Sequence, residues 1–323
     1  MEYRLLGKTG LRTSVIGLGC SRLGASIFEH DTVENLSLLD YALDQGINFF
    51  DTADSYGFGN SELTLGKAFQ KKRDKVILAT KGGSLPSSLA RFGKFIVPFI
   101  GPFRSQLRTK KSTLKKASHK RQNFDVAYLK KALENSLRRL KTDYIDLYQL
   151  HSPPHAILES EETFRFLDQC QQEGKIRFYG ISINAIEDGA LCLENQNIAA
   201  LQMPINLLDQ HATTELFPKT LQTGILARVP LARGLLTDAL EVRTGPQRED
   251  YPPSYQKLKL LYDMCAQEER QLSDVAIQFL LQFKYISTIL VGTKSRAHLR
   301  RNILAGKQPP LSQNLLCYIA SLA

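Results

Sequence analysis

Four side chains in this sequence have the types and spacing to move a proton onto an oxygen: Asp51, Tyr56, Lys81 and His151. A phenol, with an ordinary pKa near ~10, holds its proton at neutral pH and releases it reluctantly. An ammonium within a few ångströms favours the phenolate, and a carboxylate beside the ammonium keeps it charged and oriented. An imidazole donating to the same oxygen stabilises charge as it develops there. In these roles Tyr56 is a general acid towards a carbonyl oxygen, Lys81 its activator, Asp51 the partner of Lys81 and His151 the second donor. Singly, each has a structural reading as ready: Asp51 as a helix cap, Tyr56 as a packing residue, Lys81 before Gly82-Gly83 as a solvated charge, His151 before Ser152-Pro153-Pro154 as a turn residue. What joins them is that they fall at consecutive strand ends.

The elements that must position them are legible as an alternation. Residues 3–14 read as a hairpin ahead of a buried strand over 15–19. Asp31 or Thr32 caps a helix to about Asp44, and the apolar run from Ile47 ends in Asp51, with Gly57 and Gly59 breaking the chain beyond it. A helix from Asn60 or Ser61 to about Phe69 precedes a strand over 76–81. Asp125 caps a helix to Leu140, with Leu129, Leu133, Leu137 and Leu140 on one face, and 144–150 is a strand. Then follow helix 159–173, strand 176–182, helix 185–195, strand 199–203, helix 213–223, strand 225–229, helix 254–283, strand 288–292 and a helix from Ser295. Eight strands alternating with helices predict parallel pairing by right-handed crossovers and a closed (β/α)8 TIM barrel, a single domain over 1–323 with 306–323 as a C-terminal tail. The doubly wound dinucleotide fold fits less well, because Gly17-Leu18-Gly19-Cys20-Ser21-Arg22 has Arg where the third glycine belongs.

Composition narrows the class. Five cysteines without metal-like spacing, and an amino terminus without an apolar core, lead us to expect a cytoplasmic protein. The longest strongly apolar stretch, Phe95 to Phe103, carries Pro98 and Pro102 and falls far short of the ~20 residues of a spanning helix. No metal set emerges, since Pro153 and Pro154 deny His151 and His155 a common helical face. A serine hydrolase would need a Gly-x-Ser-x-Gly elbow that the chain lacks.

The segments Phe50 to Gly57, Lys81, and Asp143-Tyr144-Ile145-Asp146-Leu147-Tyr148-Gln149-Leu150-His151 resemble those of the aldo-keto reductases. So does the ordered series Gly180-Ile181-Ser182, Gln202, Pro230 to Leu236 and Gly292-Thr293-Lys294. The resemblance implies the same barrel, an NADPH/NADP+ cofactor, a small-molecule carbonyl substrate, and the four residues above as the catalytic set. It implies that Ser182 and Gln202 hydrogen-bond the nicotinamide carboxamide; many relatives have Asn straight after that Ser, Ile183 cannot make the same amide contact, and Asn184 is the open candidate to replace it. It sets Arg228 where many members stack an aromatic on the nicotinamide ring. Gly19, Pro230, Leu231, Gly234 and Leu235 would line the cofactor. Gly292, Thr293, Lys294 and Ser295 lead into a helix N-terminus suited to an anion, where Lys294, Arg296, Arg300 and Arg301 would neutralise a 2′-phosphate. Asn302 matches an adenine-binding position. A second implied reading is a nucleotide-sensing subunit on the same barrel, which binds NADPH and serves a partner protein, as channel β-subunits do.

One segment is particular to this chain. Net charge is +10, and the segment 84–123 holds ten of the 42 Lys and Arg and no acid, so the remainder, with 32 basic and 32 acidic residues, is formally neutral. Following a barrel strand, this long basic loop would overhang the mouth. Phe92, Phe95, Ile96, Val97, Phe99, Ile100 and Phe103 then suggest a lid over a large apolar or anionic substrate, or a patch (92–121) resting on an anionic membrane surface. A solvated insertion is the third reading, and nucleic acid is not expected because the basicity is confined to this segment.

Overall fold

The structure, a computed structural model, describes residues 1–23, 33–85, 122–220, 222–237 and 253–322. Eight parallel strands close into a barrel: β3 (Ile16–Gly19), β4 (Phe49–Asp51), β5 (Ile77–Gly82), β6 (Ile145–His151), β7 (Ile176–Ser182), β8 (Ile198–Pro204), β9 (Gly224–Arg228) and β10 (Ile286–Val291), with β10 pairing back to β3. Each is a short apolar run followed by a turn, as a strand covered on both faces requires. Ahead of them β1 (Tyr3–Leu5) and β2 (Arg12–Ser14) pair antiparallel, Tyr3 opposite Ser14.

Strand residues alternate between the helix layer and the interior, which decides what reaches the lumen. Register aligns Phe49 with Ile77, Ala79 with Leu147 and Gln202 with Leu226. Phe49, Ile77, Ala79, Leu147, Ala200, Leu226 and Leu290 form one apolar cluster that includes Leu6 and Leu11 of the hairpin. The hairpin therefore stoppers one end of the barrel. Two residues further along the same strands, still pointing inward, come Asp51, Lys81, Gln149, Gln202 and Arg228. The apolar floor thus gives way to a polar ceiling at the carboxyl ends, where loops converge in barrels of this kind.

Around the barrel run α1 (Val33–Asp44), α2 (Asn60–Phe69), α3 (Val126–Leu140), the short α4 (His155–Leu158), α5 (Glu161–Gln172), α6 (Ile186–Glu194), α7 (His211–Glu215), α8 (Pro253–Gln267), α9 (Leu272–Leu281), α10 (Arg296–Ala305) and α11 (Gln313–Ala320). Two expectations are corrected. The helix expected over 254–283 is two, because Glu269 turns left-handed (φ 55°) and Arg270 N–H closes back on Cys265 O at 2.9 Å, a helix-ending motif. Arg270 then clamps the break by donating to Gln278 Oε1 and to the carbonyls of Pro309 and Pro310. The helix expected over 213–223 shortens to α7 and a 3₁₀ turn over Phe217–Lys219, where Pro218 supplies no N–H to continue it. The expected cap at Asp31 or Thr32 lies outside the described residues, as does most of the basic loop (86–121) with its lid and membrane readings. Ser84 and Gln122 pair across the base of that loop. No helix among the described residues is long and apolar enough to cross a membrane.

Candidate active site

Asp51 ends β4 and Lys81 sits one residue before the end of β5, so adjacent parallel strands present a carboxylate and an ammonium to the same space. Lys81 Nζ donates to Asp51 Oδ1 at 2.8 Å, to Oδ2 at 2.6 Å and to Thr52 O at 2.8 Å. Both side chains are buried, Lys81 wholly. Burial presses the Lys81 pKa down, but Asp51 and the Tyr56 phenol outweigh it and the net direction is up. The ammonium stays charged where water cannot reach it.

Tyr56 follows β4 on a tight turn. Gly57, Phe58 and Gly59 all take left-handed backbone, with Phe58 the one that pays a steric cost for it. That turn brings the Tyr56 ring centroid to 5.1 Å from Lys81 Nζ. His151, the last residue of β6, meets the same ring edge-on, with centroids 5.8 Å apart and planes at 89°. Ser152 is left-handed (φ 54°), so the chain leaves the barrel sharply after His151. Gln122 Nε2 pins that corner by donating to Ser152 O at 2.6 Å. Asp51, Tyr56, Lys81 and His151 are thus gathered at one mouth.

The strands beyond them complete the rim. Ser182 is paired in register with both His151 and Gln202. Gln202 Nε2 donates to Asp51 Oδ1 at 2.8 Å, which leaves its Oε1 as the atom able to meet a carboxamide. Asn184 accepts from Arg228 Nη2, which also donates to Ile183 O at 2.9 Å. Asn184 is therefore engaged with the guanidinium. Arg228 Nε is shielded from solvent without a partner among the described residues, and burial lowers the guanidinium pKa even though Tyr56 and Asp51 oppose that shift. After β9, Ala232, Arg233 and Gly234 are consecutively left-handed, next to Pro230, Leu231 and Leu235. Gly19 and Gly292 lie against each other at the β3 and β10 ends, an added Cβ on Gly292 standing 3.8 Å from Gly19 O.

At the start of α10, Ser295 Oγ accepts from His298 N–H as the helix cap, and Ser295 N–H donates to Thr293 Oγ1. Lys294, Arg300 and Arg301 are exposed there, whereas Asn302 is buried. Arg296 is folded away onto α1, donating to Ser37 O at 3.0 Å and lying over the Tyr41 ring, so it does not join the cluster expected at a 2′-phosphate.

One member of the site escaped sequence reasoning. Gln149, fully buried, donates to Asp51 Oδ1 at 3.2 Å and accepts from Gln202 Nε2 at 3.3 Å. Its position two residues before His151 on the same inward face was the available signal.

Known proteins can be set beside this geometry. The model of the Aldo/keto reductase family matches residues 15–323. An uncharacterized oxidoreductase of Bacillus subtilis (strain 168), YqkF, is 32% identical over 325 residues, covering 97% of this chain and 94% of its own. An NADH-specific methylglyoxal reductase of Escherichia coli (strain K12) is 27% identical, covering 93% of this chain and 92% of its own. Among solved structures, the holo form of aldo-keto reductase AKR11C1 from Bacillus halodurans superposes with a TM-score of 0.76 at 31% identity, covering 100% of this chain and 96% of the other.

Proposed function

This chain belongs to the aldo-keto reductase family of oxidoreductases, which bind nicotinamide cofactors, and from that premise we propose that it reduces an aldehyde or ketone to an alcohol with NADPH, Tyr56 serving as general acid. The observation that carries the reading is the buried Lys81–Asp51 pair set against the Tyr56 ring, with the His151 ring edge-on to the same phenol. Bound NADPH would supply the hydride. Tyr56 delivers the proton to the carbonyl oxygen, and the Lys81 ammonium stabilises the phenolate left behind. His151 holds that oxygen in line and offsets the charge growing on it. Gln149 and Gln202, both donating to Asp51, fix the carboxylate so that Lys81 cannot rotate off the phenol.

The residues present fit the cofactor. Ser182, Gln202 Oε1 and the unsatisfied Arg228 Nε offer polar partners at the nicotinamide end. The capped start of α10, with Lys294, Arg300 and Arg301 nearby, suits a 2′-phosphate and supports NADPH over NADH. The E. coli relative is named NADH-specific, so the preference has to be measured. Following NADPH and NADH absorbance over many turnovers with 4-nitrobenzaldehyde tests the proposal. Sustained oxidation that is faster with NADPH supports it. Oxidation that stops after one equivalent would replace it with the nucleotide-sensing reading.

A further inference from the structure

On the outer face of β5 and β6, under α2 and α3, lies a polar cluster that this reaction does not use. Thr80 Oγ1 donates to Glu62 Oε1 at 2.5 Å, and Arg139 Nε donates to Glu62 Oε2 at 2.6 Å. Asp54 enters the cluster from the turn that carries Tyr56. Its N–H donates to Lys81 O at 3.0 Å, and its carboxyl accepts from the Ser55 N–H. Asp54 Oδ1, however, is sealed from solvent with no hydrogen-bond partner among the described residues, as are the Tyr148 hydroxyl and Asn60 Nδ2.

Charge counting shows why this matters. The groups acting on Asp54 are Glu62 from α2, Arg139 from α3 and Lys81 from β5, and Asp54 in turn acts on Tyr148 of β6. Arg139 is taken up by Glu62, and Lys81 by Asp51 on the opposite face of β5. Two carboxylates near a single guanidinium, Glu62 wholly buried and Asp54 half-buried, cannot both ionise cheaply. Burial first, and then Glu62, push the Asp54 carboxyl up to about 8.

We propose that Asp54 is a positioning residue for the proton donor: as a carboxylic acid it holds the turn bearing Tyr56 against β5, and as a carboxylate it drives that turn off. The link is short. Tyr56 N–H donates to Ala53 O at 3.1 Å, and the Asp54 backbone is bonded to Lys81, so one residue touches the supports of both the phenol and the ammonium. Protonated, Asp54 gains an O–H for a cluster holding an unsatisfied Tyr148 oxygen. Ionised, it sets a second negative charge beside Glu62.

This inference rests on the role given to Tyr56, and its test has an arm that does not. Hydrogen exchange in residues 52–59, corrected for the intrinsic rate, is expected to rise severalfold in the unmodified protein between about pH 7 and about pH 9 and to stay level in Asp54→Asn, which keeps the shape and a donor but cannot ionise. Equal protection of that segment at both pH values in the unmodified protein overturns the proposal, whether or not the variant folds. In kinetics, kcat/KM with 4-nitrobenzaldehyde is expected to fall about tenfold per pH unit above about 8, and the fall should move to higher pH in Asp54→Asn. Coincident alkaline limbs in the two proteins overturn it as well. Absence of turnover with every carbonyl tried would count against the proposed function alone, because the exchange measurement still decides the part played by Asp54.

Discussion

Replacing Asp51 with Asn takes away the carboxylate that, among the described residues, pairs with Lys81. Lys81 is wholly buried and Asp51 nearly so, and the ammonium donates to both oxygens of that carboxylate. Breaking a pair of this kind by removing one partner costs about 3–5 kcal/mol, because the other charge stays buried and uncompensated. The asparagine amide adds to the cost, since its NH2 and the Lys81 NH3⁺ are both donors. At the low end of ~2–4 °C per kcal/mol, as suits a long chain, the melting temperature should drop by roughly 6–10 °C. Desolvation is the largest influence on Lys81 and acts to strip its proton, so without Asp51 the lysine pKa should fall and its hold on the phenolate weaken. Carbonyl reduction should then fall by about 10²–10⁴-fold. Thermal melts and kcat/KM on Asp51→Asn, Lys81→Met and the double variant separate these effects. The double variant carries no stranded charge and should melt above Asp51→Asn while remaining inactive. Should Asp51→Asn lie within about 1 kcal/mol of the parent, or the double variant melt no higher than the single, the buried-pair reasoning is wrong.

Tyr56→Phe keeps the ring against His151 and removes the proton, so NADPH affinity by fluorescence titration should hold while steady-state reduction drops about 10²-fold or more. Gly82→Ala would set a methyl 2.0 Å from the Tyr148 hydroxyl and should cost about 1–3 kcal/mol in urea unfolding, part of which Tyr148→Phe should restore. Lys294→Ala should raise KM for NADPH several-fold and leave KM for NADH nearly unchanged, and an equal rise in both would show that the lysine does not read the 2′-phosphate.

Much of this was legible beforehand for a simple reason. Apolar runs such as Phe49-Phe50 before Asp51, and Ile77-Leu78-Ala79 before Lys81, carry strand, burial and strand end in a few letters, and period-two alternation then says which polar residues point inward. What escaped depends on distant groups. The break between α8 and α9 is clamped by Arg270 reaching the carbonyls of Pro309 and Pro310, which no local pattern announces. Arg296 looks like any other cation near Lys294 until α1 brings Ser37 and Tyr41 beneath it. Asp54 reads as an ordinary loop acid, and only the folded count of charges around Glu62 and Arg139 sets it apart.

The hairpin's Leu6 and Leu11 give the barrel a closed base, so among the described residues the polar lumen opens at the carboxyl ends of the strands. If two reactants must come together inside, the one that reaches further down has to arrive first and depart last. Queueing at that entrance is therefore imposed by the plug at the far end, some strand lengths away from any bond that changes.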